Sequence, residues 1–307
     1  MTQRAPSTVG ADQHGGSDLI DIVIVNWNGG HEVVAAARSA ERFGGNVVVV
    51  DNDSADGSPD VVAREVPSAS VIRMGRNAGF AAACNAGVAV GSAPLIMLLN
   101  PDAELVEGTP ARMLEAFERP ENPTIVGPKT VSEDGSFQRS VRRLPTTSAL
   151  ILFQLKLWPL ARWLPPLSRY LMLDFSGSEP ALVEQVIGAA FAMRRDQWVR
   201  YHGLDDGYFL LFEEVDLCRR VADDGGCALY WPGVVVRHKG GTSFHRLSHV
   251  RLQRIWDASL LRYAELHLGR GATMAIQLTI PFVLAVSAVR DGVDRLRPRS
   301  SPGRRAA

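Results

Sequence analysis

Residues 19–30 read LIDIVIVNWNGG, an apolar run rich in isoleucine and valine that ends in a polar turn with two glycines. A run of this length that is apolar except for Asp21 predicts a buried strand, and Asn and Gly at its end predict a tight turn. The same arrangement recurs at 47–50, where VVVV stops at the polar segment DNDSADG. Further apolar runs at 70–74 and 94–99 predict two more strands.

Segments of helical composition separate these four runs, at 31–42, from 58 onward, and at 80–90. The alternation of strand and helix predicts an α/β fold with a mostly parallel sheet flanked by helices. Ligands of such sheets bind beyond the carboxyl ends of the strands. Because each strand ends at Asn, Asp or Gly, we expect the functional site at that edge.

Composition narrows the class of protein. The chain has 307 residues, with 33 basic and 33 acidic side chains, so no overall field favours nucleic acid. Its three cysteines have no C-x-x-C spacing, which argues against a disulfide framework and a structural zinc site. The first eighteen residues form no apolar run, so we expect a disordered tail without a signal peptide, and catalysis in the cytoplasm.

Two later segments have unusual composition. Residues 149–175, rich in Leu, Trp, Pro and Arg, predict an amphipathic insertion, which is either a lid or membrane-interface segment or a pair of helices packed on the core. Residues 272–289 are uncharged and predict either a membrane span or a buried or interfacial helix. The basic residues of 290–304 suit an anionic membrane or a solubilising tail. We therefore expect a catalytic domain at 19–245 and a helical, membrane-associated segment with a basic tail at 246–307.

The polar segments at the strand ends supply candidate binding residues. Asp51, the last residue of its strand, is placed to accept from a base or ribose, whereas Asp53 serves equally well in an Asx turn. Asn77 and Gly79 precede a helix whose N-terminus would favour a diphosphate. Asp102 follows the fourth strand, where a carboxylate would help to hold Mg²⁺ or Mn²⁺.

The run YFLLFEEVDLCRR at 208–220 places three acids after an aromatic segment, at the start of a predicted helix. A partly desolvated carboxylate suits a general base, because burial raises its pKa toward the working pH. The alternative is a charge pattern that complements the helix dipole on a solvated helix. Downstream, His238 is either a metal ligand or a structural histidine.

Together these segments resemble the family-two glycosyltransferases of the GT-A fold, especially the bacterial branch that includes rhamnosyltransferases. The matching runs, in the order expected of the family, are IVNWNG (24–29), VDNDSADGS (50–58), NAGF (77–80) with ACN (83–85), LNPD (99–102), GLDD (203–206), EEVDLCR (213–219) and HKGGTS (238–243).

The resemblance implies roles for individual residues. Glu214 would be the catalytic base, although the family has Asp there, and Glu213 and Asp216 stay open as alternatives. A divalent metal, Mg²⁺ or Mn²⁺, would be held by Asp102 and His238. The residues implied to bind the nucleotide-sugar are Asn26, Asp51, Asp53, Asn77, Gly79, Asp102 and Arg219.

The resemblance also implies a reaction and its setting. A sugar, with rhamnose as one candidate, would pass with inversion from a nucleotide-diphosphate donor to a glycan or polyprenyl-diphosphate-linked acceptor. The reaction would belong to cell-envelope polysaccharide synthesis at the inner face of the plasma membrane. One rival is a non-catalytic sugar- or membrane-binding relative. Another, a sugar nucleotidyltransferase, is disfavoured because no Gly-rich basic loop follows the first strand, and the missing G-x-G-x-x-G disfavours a dinucleotide oxidoreductase.

Overall fold

The four apolar runs of the N-terminal half form neighbouring parallel strands. A computed structural model describes residues 19–240 and 247–296 of the protein. Its N-terminal elements are β1 (Ile20–Asn26), α1 (Gly30–Phe43), β2 (Asn46–Asp51), α2 (Ser58–Glu65), β3 (Ser70–Arg73), α3 (Phe80–Val90) and β4 (Leu95–Leu99). Strand β1 lies between β2 and β4, and the register pairs Asn26 with Asp51. The polar strand ends therefore meet at one edge, as the sequence predicts.

The remaining elements complete the sheet and add helices. They are β5 (Ala103–Glu107), α4 (Pro110–Phe117), β6 (Ile125–Val131), β7 (Phe137–Gln138), β8 (Val141–Arg142), α5 (Thr147–Gln154), a 3₁₀ helix (Trp158–Trp163), α6 (Pro165–Tyr170), β9 (Ala181–Val183), β10 (Gln185–Val186), β11 (Ala190–Arg194), α7 (Arg195–Arg200), α8 (Glu213–Asp223), β12 (Ala228–His238), α9 (His249–His267), α10 (Arg270–Gln277) and α11 (Ile280–Leu296).

The main sheet has the strand order β3-β2-β1-β4-β11-β6-β12-β5. Strand β11 runs antiparallel to both β4 and β6, while β12 is parallel to β6 and antiparallel to β5. A separate two-stranded ribbon pairs β8 with β10. The prediction of a mostly parallel sheet flanked by helices is confirmed, with antiparallel strands in its C-terminal half.

Each face of the sheet carries its own apolar core. Ile20, Ile22 and Ile24 point into the core that contains α1, α2 and α4. Val23 and Val25 point into the opposite core, which contains α3 and α8. Burial of both faces explains why the strands are continuous apolar runs rather than alternating ones.

The C-terminal helices form a third core with the segment that leads into α8. Its buried residues are Leu150, Tyr208, Phe212, Val215, Leu260, Tyr263, Ala264 and Ile276. The insertion at 149–175 folds as α5, the 3₁₀ helix and α6. It buries Leu150 and Leu167 but exposes Trp158 and Trp163. It therefore packs on the protein as helices and also presents aromatic side chains to the surface.

In the described part of the chain, one helical stretch, Arg270–Arg295, is long and apolar enough to cross a membrane by length and composition. Ile276 and Val283 are buried, whereas Leu278, Phe282 and Val289 are exposed. The predicted tail at 1–18, the domain boundary near 245, residues 241–243 of the HKGGTS motif and the basic residues from 297 onward lie outside the described residues.

Candidate functional site

The turns after β1 and β2 are joined by the side chain of Asn26, which is fully buried. Its Nδ2 donates to Asp51 Oδ1 at 3.1 Å and to Ser58 Oγ at 2.8 Å, and its Oδ1 accepts from the Gly29 N–H at 2.9 Å. The sequence predicts a nucleotide contact for Asn26, whereas the structure uses its amide to fix the strand ends. This bonding leaves the Asn26 side chain engaged with the protein.

The acids after β2 differ in their surroundings. Asp51 is buried, and its Oδ2 accepts from the Ser54 N–H at 3.3 Å. Asp53 is exposed and has a positive φ of 67°. Asp56 accepts from the Gly30 N–H at 2.9 Å and so ties the two turns together. Asp56 also accepts from the N–H of Ser58, two residues further on, as in an Asx turn, and Asp51 lies at the strand edge beneath this segment.

A first cavity opens beside the loop that precedes α3. Asn52, which is not among the predicted site residues, is buried and bonds both sides of this loop. Its Oδ1 accepts from the Ala78 N–H at 2.9 Å and its Nδ2 donates to the Gly79 carbonyl at 3.0 Å. Asn77 Oδ1 accepts from the Gly79 N–H at 3.1 Å. Residues lining the first cavity include Val25, Trp27, Asn52, Asn77, Gly79, Asp102, Phe209 and Arg251.

Asp102 and His238 are brought together as the sequence predicts. Strand pairing sets His238 opposite Ala103, and His238 Nε2 lies 3.3 Å from Asp102 Oδ1. His238 Nδ1 is 3.0 Å from Gln138 Oε1, which can accept a hydrogen bond from the Nδ1–H group. Nε2 is then left with a lone pair, and this buried atom has no hydrogen-bond partner among the described residues.

This pair fits a divalent metal. A lone pair and a carboxylate oxygen that face each other would be stabilised by a cation between them, and a second-shell acceptor on the other ring nitrogen is usual for a histidine ligand. The described residues contain no group of three or more His, Cys, Asp or Glu side chains placed to hold an ion. Asp102 and His238 would therefore supply only part of a metal shell.

Helix α8 begins after two residues with a left-handed backbone, Leu211 and Phe212, whose φ values are 73° and 72°. Non-glycine residues adopt this conformation at some cost, and such strain concentrates at functional sites. The bend directs the first turn of α8, with Glu213 and Glu214, into a second cavity. Glu214 Oε1 accepts from the Gly188 N–H at 3.3 Å, whereas Glu213 Oε2 is buried without a hydrogen-bond partner in the described structure.

Both glutamates titrate above the ordinary range. Burial raises the pKa of Glu213 well above its usual value, and the nearby charge of Glu214 raises it further. Burial also raises the pKa of Glu214, but backbone N–H groups, including that of Gly188, and the charge of Arg142 oppose the rise. The environment therefore favours the ionised form more at Glu214 than at Glu213.

Asp216, the third acid, is engaged elsewhere. His267 Nε2 lies 2.7 Å from its Oδ1, and Arg220 Nε donates to its Oδ2 at 2.7 Å. Burial alone would raise the pKa of Asp216, but the hydrogen bond from His267 and the charge of Arg220 lower it. Arg219, predicted to bind the nucleotide, pairs with Asp223 at 2.9 Å. Neither Asp216 nor Arg219 lines the two cavities.

The two cavities share a wall. The second cavity is lined by side chains that include Arg142, Phe153, Tyr170, Gln185, Glu213, Glu214 and Trp256. Both cavities are bounded by Phe80, Asn100, Leu210 and His238. Asn100 belongs to the LNPD run and Asn52 to the DND run, and both runs stand at the ends of predicted strands. Their position at strand ends could therefore have marked both residues as site candidates. No comparable signal marks Gln138, Arg142 or Gln185.

Residues 21–176 match the model of glycosyl transferase family 2. The chain belongs to glycosyl transferase family 2. As a glycosyltransferase of this family, it uses a nucleotide-sugar donor, and the predicted family and fold are confirmed.

Individual relatives of this glycosyltransferase are more distant. It is 25% identical over 269 residues to the N-acetylglucosaminyl-diphospho-decaprenol L-rhamnosyltransferase of Mycobacterium tuberculosis, found in two strains, and the match covers 82% of this chain and 86% of that protein. Among solved structures, a mannosyltransferase from Pyrobaculum calidifontis in complex with GDP-Man and Mn²⁺ has a TM-score of 0.53 at 15% identity, covering 97% of this chain and 81% of that one.

A second solved structure, GalNAc-T7 with UDP, GalNAc and Mn²⁺, has a TM-score of 0.52 at 16% identity. The match covers 72% of this chain, which spans 43% of the length of that enzyme. At these identities, the two structures show that the glycosyltransferase shares their fold.

Proposed function

We propose that the protein is a metal-dependent, inverting glycosyltransferase that transfers rhamnose from a nucleotide-diphosphate donor to a hydroxyl of a lipid-linked acceptor. The observation that carries this proposal is the meeting of the two cavities at Asn100 and His238. One cavity presents Asp102 and the loop before α3, and the other presents two buried glutamates. Such an arrangement suits a donor and an acceptor that meet at the shared wall.

The first cavity suits the donor diphosphate. The loop at 77–79 leads into α3, and the N-terminus of a helix favours an anion. Asp102 and His238 would hold a Mg²⁺ or Mn²⁺ ion, which supplies positive charge to stabilise the leaving diphosphate. Asp51 and Asp53 flank Asn52 at the neighbouring strand end, where we assign the nucleoside.

In the second cavity we assign Glu214 as the general base. Glu214 accepts the proton of the acceptor hydroxyl while that oxygen forms a bond to the anomeric carbon. The bond from the anomeric carbon to the diphosphate oxygen breaks, and its electron pair leaves with the diphosphate. Attack from the side opposite the leaving group inverts the anomeric configuration. Glu213, which lacks the charge-stabilising contacts of Glu214, stays protonated beside it.

The sugar and acceptor are proposed from the Mycobacterium tuberculosis relative, whose name gives L-rhamnosyl transfer to a diphospho-decaprenol substrate. The exposed apolar residues of α11, together with Trp158 and Trp163, support association with a membrane surface. We therefore place the reaction at the inner face of the plasma membrane, in the synthesis of a cell-envelope polysaccharide.

The full chain, incubated with dTDP-rhamnose, a short-chain N-acetylglucosaminyl-diphospho-lipid and Mg²⁺ or Mn²⁺, tests this proposal. We expect transfer of radiolabelled rhamnose to the lipid, its loss on chelation of the metal, and its recovery when metal is added back. Absence of transfer, and of binding to any nucleotide, would refute the assignment.

The matched variants Glu214→Gln and Glu213→Gln test the base. Removal of a general base lowers kcat by about 10²- to 10⁴-fold, and we expect that loss for Glu214→Gln. Glu213→Gln should retain most of the activity, because the neutral amide resembles a protonated carboxyl group. The reverse ranking would move the base to Glu213.

A further inference from the structure

The ribbon of β8 and β10 presents two polar side chains on one face. Its register sets Gln185 opposite Arg142 and Val186 opposite Val141. Because side chains alternate along a strand, the two pairs point to opposite sides. Val141 and Val186 are each 1% exposed and belong to the core, whereas Arg142 and Gln185 line the second cavity.

Gln185, which lines this cavity, carries a buried polar atom without a partner in the described structure. The side chain is only 2% exposed, yet its Oε1 has no hydrogen-bond partner among the described residues. Glu213 lines the same cavity, and its Oε2 likewise lacks a partner in the described part of the chain, although the residue is only 5% exposed. Buried polar atoms in native proteins are nearly always paired. Two unpaired oxygens on residues that line one cavity therefore point to a ligand with hydroxyl groups, which can donate to Gln185 and either donate to or accept from Glu213.

The rest of the cavity matches a sugar ring. Phe153, Tyr170 and Trp256 supply flat apolar walls, and Arg142 lies 6.0 Å from the Phe153 ring centroid and 5.5 Å from that of Tyr170. The cavity measures about 320 Å³, at the lower end of the range for small-molecule sites. Apolar walls with a few convergent polar groups are typical of such sites.

We propose that Gln185 determines acceptor specificity by accepting a hydrogen bond from a ring hydroxyl next to the one that attacks the donor. Glu213 binds the same ring, and Glu214 faces the attacking hydroxyl. The inference rests on the proposed transfer reaction and names its acceptor as a pyranose with a free hydroxyl beside the reacting one. Gln185 is thus a positioning and specificity residue, and it takes no proton.

Gln185→Leu tests the assignment, because leucine keeps much of the volume and removes the amide. With the N-acetylglucosaminyl-diphospho-lipid as probe, we expect the acceptor KM to rise about tenfold. The donor KM and the rate of donor hydrolysis without acceptor should stay at the wild-type values. A thermal unfolding midpoint and a nucleotide affinity equal to those of the wild type would establish that the variant is folded.

Monodeoxy acceptor analogues identify the hydroxyl. For the wild type, one analogue should have an acceptor KM about tenfold higher than that of the parent acceptor. For Gln185→Leu, the same analogue and the parent acceptor should have equal KM values. If Gln185→Leu does not fold, Gln185→Asn, which shortens the reach of the amide, should raise the acceptor KM in the same way. An unchanged acceptor KM would overturn the inference. So would a deoxy analogue whose activity, relative to the parent acceptor, is reduced equally in the wild type and the variant. Failure of the wild type to transfer any sugar would instead refute the proposed function.

Discussion

Replacing Gly79 by alanine should break the contact between the loop before α3 and the chain at Phe209. Gly79 has φ 92° and ψ 169°, a backbone region that is open almost only to glycine. A non-glycine residue in this conformation destabilises the fold by about 1–3 kcal/mol. A Cβ atom there would lie 2.6 Å from the Phe209 carbonyl oxygen and 3.0 Å from Phe209 Cα. Both atoms belong to the backbone, so rotation of a side chain cannot relieve the overlap.

The contact also includes a hydrogen bond of 2.7 Å from the Phe80 N–H to the Phe209 carbonyl, whose loss costs about 1 kcal/mol. Adding this loss to the backbone strain gives a destabilisation of roughly 3 kcal/mol for Gly79→Ala. Because Gly79 and Phe209 both line the first cavity, the displacement should also weaken nucleotide binding.

Gly75→Ala is the matched control. Gly75 lies in the same loop with φ 67°, but an added Cβ would meet no atom within 4 Å. It should therefore cost only the backbone strain, about 1–2 kcal/mol, and leave nucleotide affinity unchanged. Urea unfolding and calorimetric titration with a nucleotide diphosphate measure both quantities. Equal destabilisation and equal affinities for the two variants would show that the contact with Phe209 does not shape the site.

Three further outcomes are expected. Burial raises the pKa of Glu214, and only the ionised carboxylate can accept a proton from the acceptor hydroxyl. The kcat should therefore fall as the pH drops, with a midpoint above the ordinary glutamate pKa of about 4.3. A midpoint at or below that pKa would contradict the assignment of Glu214 as the base. Asp21→Asn removes the buried negative charge that pairs with Arg195. We expect the free energy of unfolding, measured in urea, to fall by about 3 kcal/mol. A decrease below about 1 kcal/mol would mean that the ion pair does not stabilise the fold. Phe282→Glu places a charge on the exposed apolar face of α11 and should reduce the co-sedimentation that we expect with vesicles containing anionic lipid. Equal co-sedimentation of variant and wild type would contradict the proposed role of α11 in membrane association.

The sequence predicts those parts of the site that depend on local pattern. An apolar run that ends in polar residues marks the carboxyl end of a strand, and this pattern alone is enough to predict that Asp51 and Asp102 lie at one edge of the sheet. The pairing of Asp102 with His238 depends on β5 and β12 lying side by side. The distance between the two residues in the sequence does not predict this pairing, whereas the family resemblance does.

The rest of the site depends on distant packing. Gln185 and Arg142 lie on strands of two residues, too short for any periodicity to mark them, and only the folded chain sets them opposite each other. Asn26 shows that a local pattern can also leave a role undecided. An amide at a strand end has the same sequence pattern whether its side chain binds a ligand or the neighbouring turn. In the folded chain the Asn26 amide bonds to Asp51 and Ser58, a contact that the sequence pattern does not distinguish from a ligand contact.

Helix α9 makes the C-terminal segment inseparable from the catalytic domain. It supplies His267 to Asp216 and Trp256 to the second cavity, and it buries Tyr263 in the third core. A protein shortened after β12 would expose the apolar side of the α8 segment and lose a wall of the second cavity. An exchange of C-terminal helices between related enzymes would therefore have to keep α9 with the domain whose second cavity it lines.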